Sequence, residues 1–207
     1  MIKPRYNPFL SWFFSKYTIY SIHWHFSKVN IHGEFKDRGK PVLMIGNHFS
    51  WWDGFFAHYL NMKLLNRQFN VMMLERELKR RMFLNKIGAF SLSRGPHEML
   101  RSLEFLKELM QDRQNLVVYY PQGKFQSIYD SPIRFQRGIE HVLEGFASQD
   151  IQVFLYAGMI DYLKHKKPSL SFYIDEFSLE KGKGYKEIEE AYNALYRYGM
   201  KSQIEAV

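Results

Sequence analysis

Short apolar runs closed by turn residues alternate along the chain with longer segments of helical period. Pro41-Val42-Leu43-Met44-Ile45-Gly46, Val71-Met72-Met73-Leu74 and Leu116 to Tyr120 are continuous apolar runs of strand length, and they predict buried strands. Val29-Asn30-Ile31-His32-Gly33-Glu34 alternates instead and predicts a short strand, with Asp37-Arg38-Gly39-Lys40 as the turn after it. Phe90-Ser91-Leu92, residues 151–157 and residues 169–175 complete the set of strands. Helical spacing falls between them, over about 51–64, 76–86, 96–111 (opening at Gly95-Pro96), 136–148 and 185–199. Strands that alternate with helices indicate a single α/β domain over 29–207, with a mixed, mostly parallel sheet flanked by helices. No internal repeat, low-complexity stretch or second domain interrupts it.

Residues 1–28 have a different character. Phe9, Leu10, Trp12, Phe13, Phe14, Tyr17, Ile19, Tyr20, Ile22, Trp24 and Phe26 crowd a segment broken by Lys16, His23, His25 and Lys28. It is too polar to span a bilayer and too aromatic for an ordinary exposed helix. One or two helices lying in a membrane interface, with Trp12 among the contacts, fit this composition, as does packing on the domain's own core. No small-residue cleavage site follows an apolar core, and no uninterrupted run reaches the ~18 apolar residues of a spanning helix.

Composition narrows the partners. The chain has 207 residues, a net charge of +8 and 17% aromatic residues. The charge points to an anionic partner: nucleic acid, an anionic membrane surface or a phosphate-bearing substrate. Cysteine is absent, which excludes disulfides, a thiol nucleophile and cysteine metal sites, and fits a reducing compartment. Arg76, Lys79, Arg80, Arg81 and Lys86 surround Leu78, Met82, Phe83 and Leu84, a basic amphipathic pattern suited to anionic headgroups or to the phosphates of a donor, or simply to a solvated face. His23-x-His25 and the Asp161/His165 pair lack a third ligand, so no metal site is expected. There is no G-x-S-x-G elbow, and Gly182-Lys183-Gly184 is too short for a phosphate loop.

The stretch that carries chemistry is Asn47-His48-Phe49-Ser50-Trp51-Trp52-Asp53. It follows the strand at 41–45 directly. Ser50 and Asp53 stand at the capping-box spacing, which puts His48 in the strand-to-helix loop and Asp53 in the first helical turn. An Asp so placed can hold one imidazole nitrogen and leave the other to take a proton from a hydroxyl. The plain alternative is a capped helix beside a hydrogen-bonded loop histidine.

Four blocks in order resemble the glycerolipid and lysophospholipid acyltransferase superfamily. Asn47 to Asp53 matches its N-H-x-S-x-x-D block, and Gly88-Ala89-Phe90-Ser91-Leu92-Ser93-Arg94 its Gly and Arg six apart, with Glu77-Leu78 ahead of it. Tyr120-Pro121-Gln122-Gly123-Lys124-Phe125-Gln126 stands where F-P-E-G-T-R-S is usual, and Phe135-Gln136-Arg137-Gly138 where F-K-x-G is usual. The resemblance covers roughly residues 29–160. It implies acyl transfer from acyl-CoA or acyl-carrier protein to an acceptor hydroxyl, with His48 as general base, Asp53 as its orienter and no metal or redox cofactor. It further implies substrate contacts by Asn47, Ser50, Arg94, Gln122, Gly123 and Lys124, with backbone N–H groups near Gly123 facing the oxyanion. Arg76, Lys79, Arg80 and Arg81 would meet membrane or donor, and the protein would sit peripherally or monotopically on the cytoplasmic face of a membrane.

The departures bear on the acceptor. Gln122 replaces the usual Glu, and Phe125 replaces an Arg that in the family helps bind the acceptor's phosphate; Lys124 supplies a point charge but no bidentate fork. Phe90 and Ser91 are swapped relative to the usual order, and Val153-Phe154-Leu155-Tyr156-Ala157-Gly158 lacks the usual proline of a fourth block. A phosphate-free or bulkier acceptor (a lysolipid, an amino-acid lipid, a glycolipid, an aryl or polyene pigment) therefore stands beside the phosphate-bearing ones. The altered third block also motivates a second class, a non-catalytic lipid- or acyl-carrier-binding protein descended from such enzymes. A nucleic-acid-binding module has only charge and aromatics in its favour, and no recognised motif.

Overall fold

A computed structural model describes residues 1–93, 95–147, 150–162, 164–179 and 184–205. The elements run α1 (Pro8–His25), β1 (Lys28–His32), β2 (Val42–Gly46), α2 (Asp53–Leu60), β3 (Gln68–Leu74), α3 (Glu75–Arg80), β4 (Ala89–Leu92), α4 (Pro96–Leu109), β5 (Asn115–Tyr119), α5 (Gly138–Leu143), β6 (Gln152–Asp161), β7 (Ser169–Phe177) and α6 (Tyr185–Glu205). A π-helical turn, Asn61–Leu65, extends α2, and a 3-10 segment, Met82–Ile87, follows α3.

The strands form one seven-stranded sheet in the order β1-β7-β6-β2-β5-β3-β4. All neighbours are parallel except β6 and β7. That exception follows from the connection: only a short loop separates β6 from β7, whereas a parallel return needs a crossover of a dozen or more residues. The expected α/β architecture with a mostly parallel sheet is what the chain adopts.

Both faces of the sheet are covered, which is why β2 and β5 read as unbroken apolar runs. Leu43, Ile45, Val117, Tyr119, Val153 and Leu155 point into one core, closed by α4, α5 and α6. Val42, Met44, Leu116, Val118, Phe154 and Tyr156 point into the other, closed by α2 and Ile22 of α1. β2 ends on Gly46 for a steric reason: a Cβ there would lie 2.2 Å from the Tyr156 ring.

Several elements differ in extent from the sequence expectation. The helix expected over 76–86 breaks at Arg81, whose backbone (φ −135°, ψ 52°) leaves the helical region, and the rest winds as the 3-10 segment. The backbone of residues 5–7 fixes this segment through Arg5 N–H to Asn85 C=O at 3.0 Å and Asn7 N–H to Lys86 C=O at 2.8 Å. The helix expected over 136–148 is only Gly138–Leu143, with Gly145 in the left-handed region just beyond (φ +89°). β6 runs four residues past its expected end because Gly158 to Asp161 pair with Ser169 to Phe172 across the antiparallel join.

α1 packs against α2, with an unusual division of its faces. Inward it presents Phe14 and Ile22 among the small hydroxyl residues Ser11, Ser15, Thr18 and Ser21, and outward Phe9, Trp12, Phe13, Tyr17, Tyr20 and Trp24, which are 45–68% exposed. Among the described residues, no helix is long and apolar enough to cross a membrane. At the α1–α2 contact, His58 is buried between the rings of Phe14 (5.5 Å) and Phe69 (4.9 Å). Burial lowers its pKa from 6.5 to about 4.

His58 therefore folds neutral and charges in the unfolded chain. Its contribution is fully present above pH 6.5 and is lost as the pH falls through about 4. The gap corresponds to ~3 kcal/mol at ~1.4 kcal/mol per pH unit. Thermal melts between pH 7 and pH 4 should show His58→Phe losing less stability on acidification than wild type; parallel curves for the two proteins would contradict this.

Candidate active site

The loop after β2 builds the site. Asn47 is buried and locks the end of the strand to β6. Its amide Nδ2 donates to Gly158 C=O at 2.9 Å, and its Oδ1 accepts from Gly158 N–H at 2.8 Å, so the side chain completes the sheet where the backbone turns away. His48 follows. Its Nδ1 lies 2.8 Å from Asp53 Oδ2, with the imidazole side chain 26% exposed and the carboxylate 2%. With Nδ1 engaged, Nε2 is the nitrogen left to meet a substrate.

Asp53 Oδ2 also accepts the Phe49 N–H at 2.9 Å and the Ser50 N–H at 3.0 Å. Half of the expected capping box is thus present, the reach back from position 53 to the Ser50 amide. The other half differs: Ser50 Oγ accepts from Trp52 N–H at 3.2 Å, and Asp53 N–H goes to Ser50 C=O at 3.2 Å. Ser50 is a turn residue, and its hydroxyl serves the loop. Burial raises the Asp53 pKa, opposed by the hydrogen bond from His48 and those from the two amides. Its second oxygen, Oδ1, is buried without a partner among the described residues.

The third-block segment after β5 closes over the histidine. The imidazole lies between two rings, Tyr120 at 4.7 Å and 19°, and Phe125 at 4.2 Å and 28°. Tyr120 and Tyr156 share a hydrogen bond between their hydroxyls at 3.2 Å, and Tyr192 OH donates to Tyr156 C=O at 2.9 Å. All three phenols titrate well above their ordinary range, first because they are buried and also because the Asp53 charge lies near.

Gln122 is buried and works on the His48 backbone: its Oε1 accepts the His48 N–H at 2.6 Å. Gln126 N–H returns to His48 C=O at 2.9 Å. Gly123 is left-handed (φ +68°), and its N–H closes a turn onto Tyr120 C=O at 3.2 Å. An oxyanion donor from this turn would be a neighbouring amide, since Gly123's own is taken. Gln136 N–H holds the turn at Pro121 C=O (2.8 Å), which gives the Phe135-Gln136-Arg137-Gly138 element a structural task. Lys124 is exposed beside Phe125.

Other expected residues lie apart from this centre. Arg76, Lys79, Arg80 and Arg81 sit on and just after α3, where they pair with Glu75 and Glu77. Trp12 is on the outer face of α1. Arg94 lies outside the described residues. No group of three metal-ligating side chains occurs among the described residues, and His25 Nδ1 is 2.8 Å from Ser21 C=O. The residues that sequence reading passed over are Tyr156, Gly158 and Tyr192. Nothing local distinguishes them from core positions, because their roles depend on contacts more than 30 residues away in sequence.

Comparison with known proteins bears on the family and the fold. No curated protein matches the sequence. Among solved structures, the chain is similar to the 1-acyl-sn-glycerophosphate (LPA) acyltransferase PlsC from Thermotoga maritima. The TM-score is 0.62 at 12% identity, covering 91% of this chain and 77% of that one, so the likeness is one of fold. The family model described as Acyltransferase matches residues 28–154, a span that holds the His48–Asp53 pair, the second block and the whole third-block loop, and on that match the chain belongs to the acyltransferase family.

Proposed function

We propose that the protein transfers an acyl group from a thioester, acyl-CoA or acyl-carrier protein, to the hydroxyl of a lipid or lipid-like acceptor. The observation that carries this reading is the 2.8 Å contact between His48 Nδ1 and a buried Asp53 that is itself fixed by two backbone amides. Nε2 takes the acceptor's hydroxyl proton as the oxygen attacks the thioester carbonyl. The tetrahedral intermediate collapses, the C–S bond breaks, and the leaving thiolate receives the same proton from Nε2. The acceptor is the nucleophile, so no acyl-enzyme is required. Asp53 holds the tautomer and stabilises the imidazolium. Its buried, otherwise unpaired oxygen leaves the carboxylate poorly solvated, which strengthens its response to the charge that forms on His48.

The reaction is proposed to run at a membrane surface, on its cytoplasmic face. The outward aromatic face of α1 supports this, since Trp and Tyr favour headgroup depth. Phe55 touches both Tyr17 of α1 and Trp51, so the aromatic surface continues to the loop that carries His48. Exposed Met82 and Phe83 extend it on the 3-10 segment, which packs on α1. The basic cluster before that segment is half neutralised by Glu75 and Glu77, so it adds attraction to anionic lipid without being the main anchor.

His48→Ala should lower acyl transfer by ~10³-fold with an unchanged melting profile, and Asp53→Asn by ~10²- to 10⁴-fold. Comparative lipid mass spectrometry in cells carrying wild type, a deletion or His48→Ala reads the same point. Loss of one acylated product in both mutants fits the enzyme. A deletion phenotype that His48→Ala does not share would leave the non-catalytic binder.

Co-sedimentation with vesicles should weaken ~10-fold or more when Trp12 and Phe13 are both replaced by Glu, given ~1.5–3 kcal/mol for each large apolar side chain buried. Lys79→Gln with Arg80→Gln should weaken binding to anionic vesicles several-fold and leave neutral vesicles unaffected. Full retention by the Trp12/Phe13 variant would place the anchor elsewhere.

A further inference from the structure

The third-block loop departs from the family pattern at positions that touch one another. Gln122 Nε2 donates to Gln126 Oε1 at 3.0 Å, and Gln126 Nε2 donates to Asp130 Oδ2 at 2.8 Å. The same two glutamines grip the His48 peptide from both sides, through Gln122 Oε1 and the Gln126 N–H. A glutamate at 122 would accept from His48 equally well, but it has no N–H for Gln126, and it would bring a second carboxylate into a site where Asp53 is already buried. The glutamine pair therefore works as a unit, and it sets the loop so that Phe125 lies over the imidazole at 4.2 Å.

Phe125 is 62% exposed. A ring left largely in water yet stacked on the base stands as an apolar wall beside whatever approaches Nε2. Trp51, on the other loop at the site, is 63% exposed, and Tyr129 further along the third-block loop is 82% exposed. Between Tyr120 and Asp130 the loop carries one cation, Lys124, and one anion, Asp130, so it has no net charge. A phosphate monoester brought against this wall would meet the apolar ring of Phe125 and the point charge of Lys124, with no planar guanidinium between Tyr120 and Asp130 to grasp it.

We propose that Phe125, held by the Gln122–Gln126 pair, is the specificity-determining residue of the acceptor site. It selects an uncharged, lipid-borne alcohol with an apolar body next to its reactive hydroxyl, and it disfavours a phosphate-bearing one. This rests on the acyl-transfer reading above. Phe125 is a selector and takes no proton.

The test uses the full chain and a matched pair of acceptors, 1-oleoylglycerol and 1-oleoylglycerol 3-phosphate, each with oleoyl-CoA in mixed micelles. Wild type should favour the phosphate-free lipid in kcat/KM by 10-fold or more. Phe125→Leu keeps an apolar side chain and should keep the preference. Phe125→Arg should reverse it, lowering KM for the phosphate-bearing lipid while Nε2 chemistry continues. Because the side chain is largely exposed, both variants should fold, and their melting curves serve as the control. A wild type that prefers the phosphate-bearing lipid, with the preference lost in Lys124→Ala, would overturn the proposal and leave acyl transfer standing. Binding of the two lipids to the His48→Ala protein, followed by tryptophan fluorescence, separates the readings. If neither lipid is acylated by wild type but the phosphate-free lipid binds better and Phe125→Arg inverts that order, selection by Phe125 stands and the catalytic reading falls. Equal binding of both lipids, unchanged in Phe125→Arg, would overturn selection by Phe125.

Discussion

Asp53 Oδ2 accepts from the His48 ring and from the amides of Phe49 and Ser50, so one oxygen fixes both the base and the turn that carries it. The carboxylate also opens α2, where negative charge is favoured by the helix dipole. The placing of the imidazole and local folding therefore share a single acceptor. An asparagine could still accept the backbone donors, but it would not supply the charge that an imidazolium needs. The arrangement has a cost, visible in the raised pKa of the buried acid and in the unpartnered Oδ1. A helix cap that served folding alone would be better solvated. The buried charge is what distinguishes this turn from a merely structural one.

The strand ends supply the rest of the frame. Asn47 ties the loop after β2 to Gly158 of β6, and Gln122 ties it to the loop after β5. β2 lies between β6 and β5 in the sheet, so His48 is held from both neighbours at the carboxyl end of its strand. The chain then leaves β2 toward β3 on one side and β5 toward β6 on the other. Such a switch point, outside the carboxyl ends of the strands, is where open α/β sheets bind ligands.

Much of this was legible in the sequence where the signal was local. β2 and β5 are continuous apolar runs because both faces of the sheet are covered, and His48 and Asp53 lie within one turn of chain. What escaped was non-local. The helix expected through Lys86 breaks at Arg81, and the backbone of residues 5–7 grips the 3-10 segment that follows it, a contact about 80 residues away in sequence. Gly158 looked like the end of a strand because glycine usually punctuates; here it pairs with Phe172 and holds Asn47. The aromatic character of α1 was legible too, but not which side would carry it: the inner face mixes Phe14 and Ile22 with small hydroxyl residues, and most of the large rings turn outward.

The two rings on His48 also constrain how chemistry can proceed. With Tyr120 on one face and Phe125 on the other, the imidazole is open only along its edge, and the Nδ1 side of that edge belongs to Asp53. On the proposed reading, a substrate hydroxyl arrives in the plane of the ring, which is also the direction of the Nε2 lone pair. Tyr120 cannot yield readily, because its hydroxyl is tied to Tyr156, whose ring fills the space left by the missing side chain of Gly46. The inner wall of the site is thus part of the sheet's own packing. Phe125 is the outer wall, since it is mostly exposed and packs on the imidazole from the solvent side. One face of the imidazole is thus walled by the sheet's packing and the other by a single loop, which is where this chain departs from its family.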